Sequence, residues 1–353
     1  MRLFFVLDHL GGRGGVETVV KMITEVFSNE GHDVFTFLPH ASDDVAWEKS
    51  LPNVYYYHYR VSEPLNGMEL STERSIGLAA LFHNLKSPDI VVGAHTPYTV
   101  LYSRVALGYS HKVPVVSWLH ANPLRFNDSH LVHYADLHWA INKPIEEFLG
   151  TKNTFWIGNP VQTNVPKIEL TDKQKYIFLG RLNNHDKRLD ILFRALSSIK
   201  HSWTLDMFGS GVDEPKLKAL ADAMGIQNNI NWNGWLDNPF EQISSATALV
   251  LTSDNEGFPM VIGEAMARGI PVISTDSGGV REIVSNHYNG WLVPINDVDQ
   301  LTQAFQHLAS MSLDELIVMG GRAQETVKEY SIDKVVTRMK RSLAHYIHEE
   351  RWT

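Results

Sequence analysis

The stretch TALVLTSDNEGFPMVIGEAMARGIPVISTD, residues 247–276, decides the fold class. Its apolar opening, TALVLTS, reads as a buried strand, and a polar loop leads into the helical run PMVIGEAMARG and a second apolar strand, PVISTD. A helical crossover carries the chain back to the start of the sheet, so the two strands it joins run parallel. Pro259 suits the first helical position, where its missing N–H costs nothing.

The same alternation extends in both directions. RLFFVL reads as a strand and VETVVKMITEVFSNEG as a helix closing at Gly31; DVFTFLP, PDIVVGA, VPVVSWLH and DLHWAIN follow as strands. After a polar, proline-bearing stretch around 160–174 the pattern restarts with KYIFLG, a helix over LDILFRALSSI, TLDMFG, a helix ending at Gly225 and NINWNGW, and GWLVP follows the quoted segment. Alternation of this kind predicts an α/β protein of two doubly wound domains, parallel sheets with helices on both faces, and a ligand crevice at the carboxyl ends of the strands. The expected division is residues 1–163 and 164–332, with an amphipathic last helix over about 333–353 returning to the first domain.

With 353 residues the chain can bury two full cores. A hydrophobic share of 44% and a charged share of 20% suit a globular protein, and no apolar run approaches the roughly 20 residues of a membrane helix. The N-terminus reads as a strand rather than a secretory leader, and the absence of cysteine excludes disulfides and thiolate metal sites, so a cytoplasmic protein is expected. A net charge of −9 argues against nucleic acid as a partner.

Four segments carry chemistry. In the quoted stretch, Glu256 falls in the loop after a strand and Glu264 in the second turn of the following helix. A carboxylate pair so placed suits vicinal hydroxyls, as on ribose or a hexose; the plainer alternative is a helix-dipole partner and a surface glutamate. Gly180-Arg181-Leu182 and Lys187 also follow a strand, where a guanidinium fork and a mobile ammonium can converge on a diphosphate or form a solvated basic loop. The loop Gly11-Gly12-Arg13-Gly14-Gly15 leads from the first strand into a helix. Position 17 is Glu, so the loop lacks the third glycine of a dinucleotide fingerprint; an anion near the helix start and a bare turn both remain open. His95 and His120 each end a strand, and either can meet a ligand or a neighbouring loop. Asp297-Val298-Asp299 precedes a helical run and reads as a cap, and Ser277-Gly278-Gly279 opens another helix as a turn or a phosphate contact. No histidine spacing suits a metal, so none is expected.

Together, GGVET, His120, GRL with Lys187, FGSG, NGW and EGFPMVIGEAMARGIPVISTDSGG resemble the retaining glycosyltransferases of family 4, over nearly the whole chain. The resemblance implies a GT-B fold, two Rossmann-like domains facing across a deep cleft. YADLHWAIN, NGW and LTSDNEGFPM are most similar to bacterial lipopolysaccharide or surface-polysaccharide galactosyl- and glucosyltransferases. It further implies that Gly14 and Gly15 approach the donor pyrophosphate, that Arg181 and Lys187 hold its phosphates, and that Glu264 binds ribose hydroxyls and Glu256 sugar hydroxyls. Gly257, Phe258, Met260 and Val261 would contact the donor through the backbone, with His120 beside its sugar. Where the family carries glycine after the phosphate lysine, Arg188 stands, which leaves the register of that loop open.

The implied reaction moves a hexose from a nucleotide sugar, UDP-galactose or UDP-glucose, to a glycan or lipid-linked hydroxyl, with inversion avoided and without metal or bound cofactor. A lipid-linked acceptor implies peripheral membrane contact. A UDP-sugar epimerase or sugar phosphorylase of the same architecture, and a non-catalytic transferase-like subunit, are the alternatives. A dehydrogenase lacks its third glycine, and a two-carboxylate hydrolase has no use for the basic pair. Arg13 and His95 have no assigned role.

Overall fold

The computed structural model of the protein describes residues 1–58, 67–120 and 126–350, so the end of the expected last helix, residues 351–353, lies outside the described residues. The chain divides into two units, residues 1–160 with 332–353, and residues 161–331.

Unit 1 opens with β1 (Arg2–Leu7), α1 (Gly15–Asn29), β2 (Asp33–Leu38), α2 (Val45–Lys49) and β3 (Val54–Tyr56). It continues through α3 (Gly67–Asn84), β4 (Ile90–His95), α4 (Pro97–Ala106), β5 (Val115–Leu119), β6 (Leu137–Ala140), α5 (Lys143–Leu149) and β7 (Thr154–Trp156). The strands pair in parallel in the order β3-β2-β1-β4-β5-β6-β7. The central strands are apolar on both faces because helices cover both, as in the fully buried run of β5. Phe4, Phe37 and Phe82 meet at ring-centroid separations of 4.9–5.2 Å in the core. Helix α1 stops where Gly31 takes a left-handed φ of +83°, a conformation that glycine adopts without a Cβ clash.

Unit 2 runs through β8 (Glu169–Leu170), β9 (Lys175–Leu179), α6 (Asn184–Lys187), α7 (Leu189–Ser197), β10 (Thr204–Phe208), α8 (Glu214–Ala223) and β11 (Ile230–Trp232). Then come β12 (Ser245–Ala246), β13 (Ala248–Leu251), α9 (Met260–Ala267), β14 (Val272–Thr275), α10 (Val280–Ile283), β15 (Gly290–Val293), α11 (Val298–Ser310) and α12 (Leu313–Val327). The main sheet has the parallel order β11-β10-β9-β13-β14-β15, and β8 pairs with β12. Asp297 accepts the Gln300 N–H at 2.9 Å, so it caps α11 as its position before a helical run predicts.

The last helix, α13 (Ile332–Glu350), belongs to unit 1. Its Ser342 hydroxyl accepts the Trp139 Nε1–H at 2.7 Å, and Arg338 Nε donates to the Ile157 carbonyl at 2.8 Å. Those bonds satisfy two buried polar groups on the sheet, beyond the apolar stripe that the sequence displays.

Candidate functional site

Each sheet reverses its strand order once, between β1 and β4 in unit 1 and between β9 and β13 in unit 2. Loops leaving the two strands beside a reversal diverge to opposite faces, which opens a crevice at their carboxyl ends. In unit 2 the segment after β9 carries Arg181 in its loop and Lys187 at the end of the short helix α6, and the loop after β13 carries Glu256. The basic pair and the first glutamate therefore flank one crevice.

The two loops are bonded together across it. Lys187 Nζ lies 2.7 Å from Glu256 Oε1. The Thr252 hydroxyl donates to the Lys187 carbonyl at 2.8 Å, and the Asp254 N–H donates to the Asp186 carbonyl at 3.1 Å. Arg181 is exposed in the β9 loop and, among the described residues, has no ion-pair partner. One cation is thus fixed against a carboxylate while the other projects free from the loop that precedes it.

Glycine-bearing loops back this arrangement at distances that exclude any side chain. A Cβ on Gly209, at φ +144°, would stand 1.9 Å from the Gly180 carbonyl oxygen, and one on Gly211 would stand 2.3 Å from that of Leu182. The FGSG turn therefore supports the Gly180-Arg181-Leu182 turn, with Gly180 N–H donating to the Phe208 carbonyl at 3.0 Å. In the same way Gly278, at φ +56°, packs on the Glu256 backbone, and the Gly279 N–H donates to the Glu256 carbonyl at 3.2 Å. Ser277-Gly278-Gly279 thus acts first as the support of the Glu256 loop.

Arg188 fills the left-handed position at φ +48° that glycine would take without strain. Its guanidinium is held by Asp190 at 3.1 Å, Asp254 at 3.0 Å and Asn296 at 3.0 Å. With arginine in place of glycine, Lys187 still lies on Glu256, and the left-handed strain at Arg188 is offset by a tied side chain.

Pro259 is the N-cap of α9, with an extended ψ of 97°, rather than its first helical residue; the helix starts at Met260. The shift arises because the Pro259 carbonyl already accepts the Ile262 N–H at 3.0 Å while its own torsions remain outside the helix. Phe258 and Met260 are buried, and the Phe258 ring lies 5.0 Å from that of Tyr330. Their side chains belong to the core, so only their backbone can serve a ligand, together with that of Gly257 and half-buried Val261. Glu264 lies in the second turn of α9, and burial raises its carboxyl above the usual carboxylate range, with Arg268 opposing the shift.

In unit 1, Gly14 is the N-cap of α1 and Gly15 its first residue. The Glu17 carboxylate folds back over this turn: a Cβ on Gly14 would lie 2.5 Å from its Oε2. Arg13 Nε reaches Asp44 at 3.3 Å. Across the reversal, Asp8 after β1 accepts the Thr96 hydroxyl at 3.1 Å and the Arg74 guanidinium at 2.9 Å. His95, the last residue of β4, has φ +83°, which costs a non-glycine residue on the order of 1–3 kcal/mol. The cause is a sharp strand-to-helix turn in which only Thr96 separates β4 from α4. His120 follows β5 and is 8% exposed; its ring lies 4.5 Å from that of Trp118. Burial, with His95 nearby, pushes its pKa down to about 3, so it is neutral at pH 7.

Residues 161–330 match the family Glycosyl transferases group 1, and residues 13–150 match Glycosyltransferase Family 4. The chain is 30% identical over 321 residues to the lipopolysaccharide 1,6-galactosyltransferase of Salmonella typhimurium, covering 85% of this chain and 87% of that protein. It belongs to glycosyltransferase family 4. The Escherichia coli lipopolysaccharide 1,6-galactosyltransferase is 28% identical, over 84% of this chain and 86% of that protein. Among solved structures, the lipopolysaccharide outer core galactosyltransferase WaaB in its apo form superposes with a TM-score of 0.83 at 26% identity, covering 98% of this chain and 99% of that one. The two sheets are accordingly the Rossmann-like domains of the GT-B fold, and the protein is a glycosyltransferase.

Sequence reasoning does not find several parts of this glycosyltransferase's candidate site. Nothing in the local pattern around Ser277-Gly278-Gly279 points to Glu256, some twenty residues earlier in the chain, and the Lys187–Glu256 pair joins residues 69 apart. The Ser253 and Ser277 hydroxyls, both buried just after strand ends beside these loops, also have no hydrogen-bond partner among the described residues. A signal exists only for Gly278: a Gly-Gly pair directly after a strand indicates a turn without room for side chains.

Proposed function

We propose that this transferase moves a hexose from UDP-galactose or UDP-glucose to a hydroxyl of a glycan or lipid-linked acceptor in lipopolysaccharide or surface-polysaccharide synthesis, with retention at the anomeric carbon and without a metal. The observation that carries the reading is the Lys187–Glu256 pair, 2.7 Å apart, flanking the switch-point crevice of unit 2. Lys187 has three donors, so it can hold Glu256 and a phosphate oxygen together. Arg181 supplies a second, unpaired cation. When the nucleoside diphosphate leaves, negative charge develops on its β-phosphate, and these groups with the N-terminal N–H groups of α9 stabilise that charge. Glu256, positioned by Lys187 and by the Gly278 turn, is suited to sugar hydroxyls, and Glu264 to those of the ribose.

Retention follows a front-face course in this reading. The glycosidic oxygen of the leaving diphosphate departs, the acceptor hydroxyl attacks on the same face, and its proton passes to the departing phosphate. His120, buried and neutral, contributes a hydrogen bond beside the sugar rather than an acid. A lipid-linked acceptor would bring the protein to a membrane surface; among the described residues no helix is long and apolar enough to cross one.

Support for donor identity comes from the similarity to the two galactosyltransferases named above. Thermal shifts with UDP-galactose, UDP-glucose, and GDP- and ADP-hexoses test it: a UDP-hexose should stabilise the protein in proportion to its occupancy. Glu264→Gln should weaken that shift, whereas Lys187→Ala should chiefly lower kcat. The anomeric configuration of the product, read by proton NMR, decides retention. A trapped glycosyl–Glu256 adduct, or no shift with any nucleotide sugar, overturns the reading.

A further inference from the structure

Unit 1 holds a second group of unsatisfied polar atoms, of which the functional reading uses only those of His120. His95 ends β4 and His120 follows β5, and these strands are neighbours, with His95 paired to Leu119 in the ladder. Both ring nitrogens of His120, Nδ1 of His95 and Nε1 of Trp118 are buried without a hydrogen-bond partner among the described residues. Four such atoms at two adjacent strand ends are unusual, because buried polar groups are almost always paired. At His95 the orphaned nitrogen coincides with the left-handed backbone at φ +83°. Glycine or asparagine would relieve that strain, yet a residue with a branched ring occupies the position. Two unfavourable features on one side chain, at the switch point of the sheet, are the mark of a group held ready for a ligand.

The surroundings select the ligand's chemistry. The charged groups acting on His95 are Asp8 and Glu17, with His9 as a weaker positive influence. Asp8 is already bonded to Arg74 and Thr96, and Arg13 is engaged by Asp44. Among the described residues, an anion would find two carboxylates and no free guanidinium here. Burial favours uncharged imidazoles at both His95 and His120. An uncharged imidazole offers one donor and one acceptor, which matches a hydroxyl, itself both donor and acceptor.

We propose that His95 is a further ligand-binding residue of this enzyme, acting beside His120 as a pair of imidazoles that hydrogen-bond neighbouring hydroxyls of a sugar. The identity of the ligand as a sugar rests on the hexosyl-transfer reading; the site itself rests on the unpaired nitrogens and the strained turn. The hydroxyls belong either to the donor hexose or to the acceptor glycan, and kinetics separates the two sources.

The test uses His95→Gly and His95→Asn in the full chain. Both suit a positive φ, so their melting temperatures should equal or exceed that of the parent protein. The KM for one sugar substrate should rise about tenfold, the loss of one hydrogen bond, while the other KM holds. The KM that moves identifies the source. Fully folded variants with both KM values and kcat unchanged overturn the proposal, as does a fall in melting temperature with unchanged kinetics, which is the signature of a structural histidine. A readout independent of turnover is the imidazole proton–nitrogen correlation spectrum of the ¹⁵N-labelled protein, titrated with UDP-galactose, UDP-glucose and methyl galactoside. Shifts of the His95 and His120 ring nitrogens with any of these sugars support the proposal, and their immobility with all three sinks it. Should the parent protein transfer no hexose, the functional reading fails, while these spectra still decide the role of His95.

Discussion

Replacing Gly278 with alanine places a methyl group 1.8 Å from the carbonyl oxygen of Glu256 and 2.9 Å from its carbonyl carbon. Ordinary contact begins near 3.4 Å, so the Glu256 backbone must retreat by about 1.6 Å or the Gly278 turn must open by as much. Neither movement is free. The Gly279 N–H bond to the Glu256 carbonyl, at 3.2 Å, breaks first, and the 2.7 Å contact between Glu256 and Lys187 is carried away with it. Alanine also keeps an unfavourable φ of +56°. Overpacking and left-handed strain together predict a loss of about 2–4 kcal/mol in stability. A displacement of about 1 Å in a positioning group costs on the order of a hundredfold in rate, so kcat/KM for hexosyl transfer should fall by about that factor. The control is Gly321→Ala, in α12, where an added Cβ meets nothing within 4 Å. There alanine should stabilise by up to about 1 kcal/mol through helix propensity, with transfer unchanged. Chemical denaturation and initial-rate kinetics on both variants decide the matter. Wild-type kcat/KM in a folded Gly278→Ala protein would show that this turn does not position Glu256.

Two further predictions concern stability. Arg104 is 1% exposed, and its guanidinium bonds Asp136, the Tyr134 carbonyl at 3.0 Å and the Ser110 carbonyl at 2.6 Å. Arg104→Met leaves the buried Asp136 carboxylate with only the Val115 N–H at 2.7 Å and the exposed His111 ring at 2.5 Å, and should cost about 3 kcal/mol in urea denaturation; a loss below about 1 kcal/mol would mean that those two partners suffice without the guanidinium. Burial lowers the pKa of His120 to about 3 and of His138 to about 4, from 6.5. Below pH 6.5 the unfolded chain takes up protons that the native protein refuses, so stability falls as pH falls, by up to about 1.4 kcal/mol per pH unit for each histidine. The loss should begin near pH 6.5 and, for His138, level off near pH 4; a stability flat from pH 7 to 5 would place both rings in contact with solvent.

The sequence by itself determined the fold class, the doubling of the domain and the loops in which the functional side chains lie. Those are properties of short windows: apolar strand runs, helical periodicity, and polar loops at strand ends such as the one that carries Glu256. Family resemblance added the proposed roles of Arg181, Lys187, Glu256 and Glu264, because the Glu256-x7-Glu264 spacing is itself local. Helix capping by Asp297 was legible for the same reason, and the start of α9 was misplaced by one residue because a proline N-cap and a proline first turn look alike in a sequence.

Only the tertiary structure decided which loops meet. Parallel strands are ordered in space by long crossovers, and no local pattern records that β9 lies beside β13 or that β1 lies beside β4. That ordering brings Lys187 onto Glu256 and packs the Gly278 turn beneath it, and in unit 1 it bonds Thr96 to Asp8. The sequence shows a histidine at a strand end; the tight turn into α4 makes His95 a strained side chain with an unpaired, buried nitrogen. Backbone strain and unmet hydrogen bonds arise from how neighbouring segments confine a residue, so they become visible only when the chain is folded.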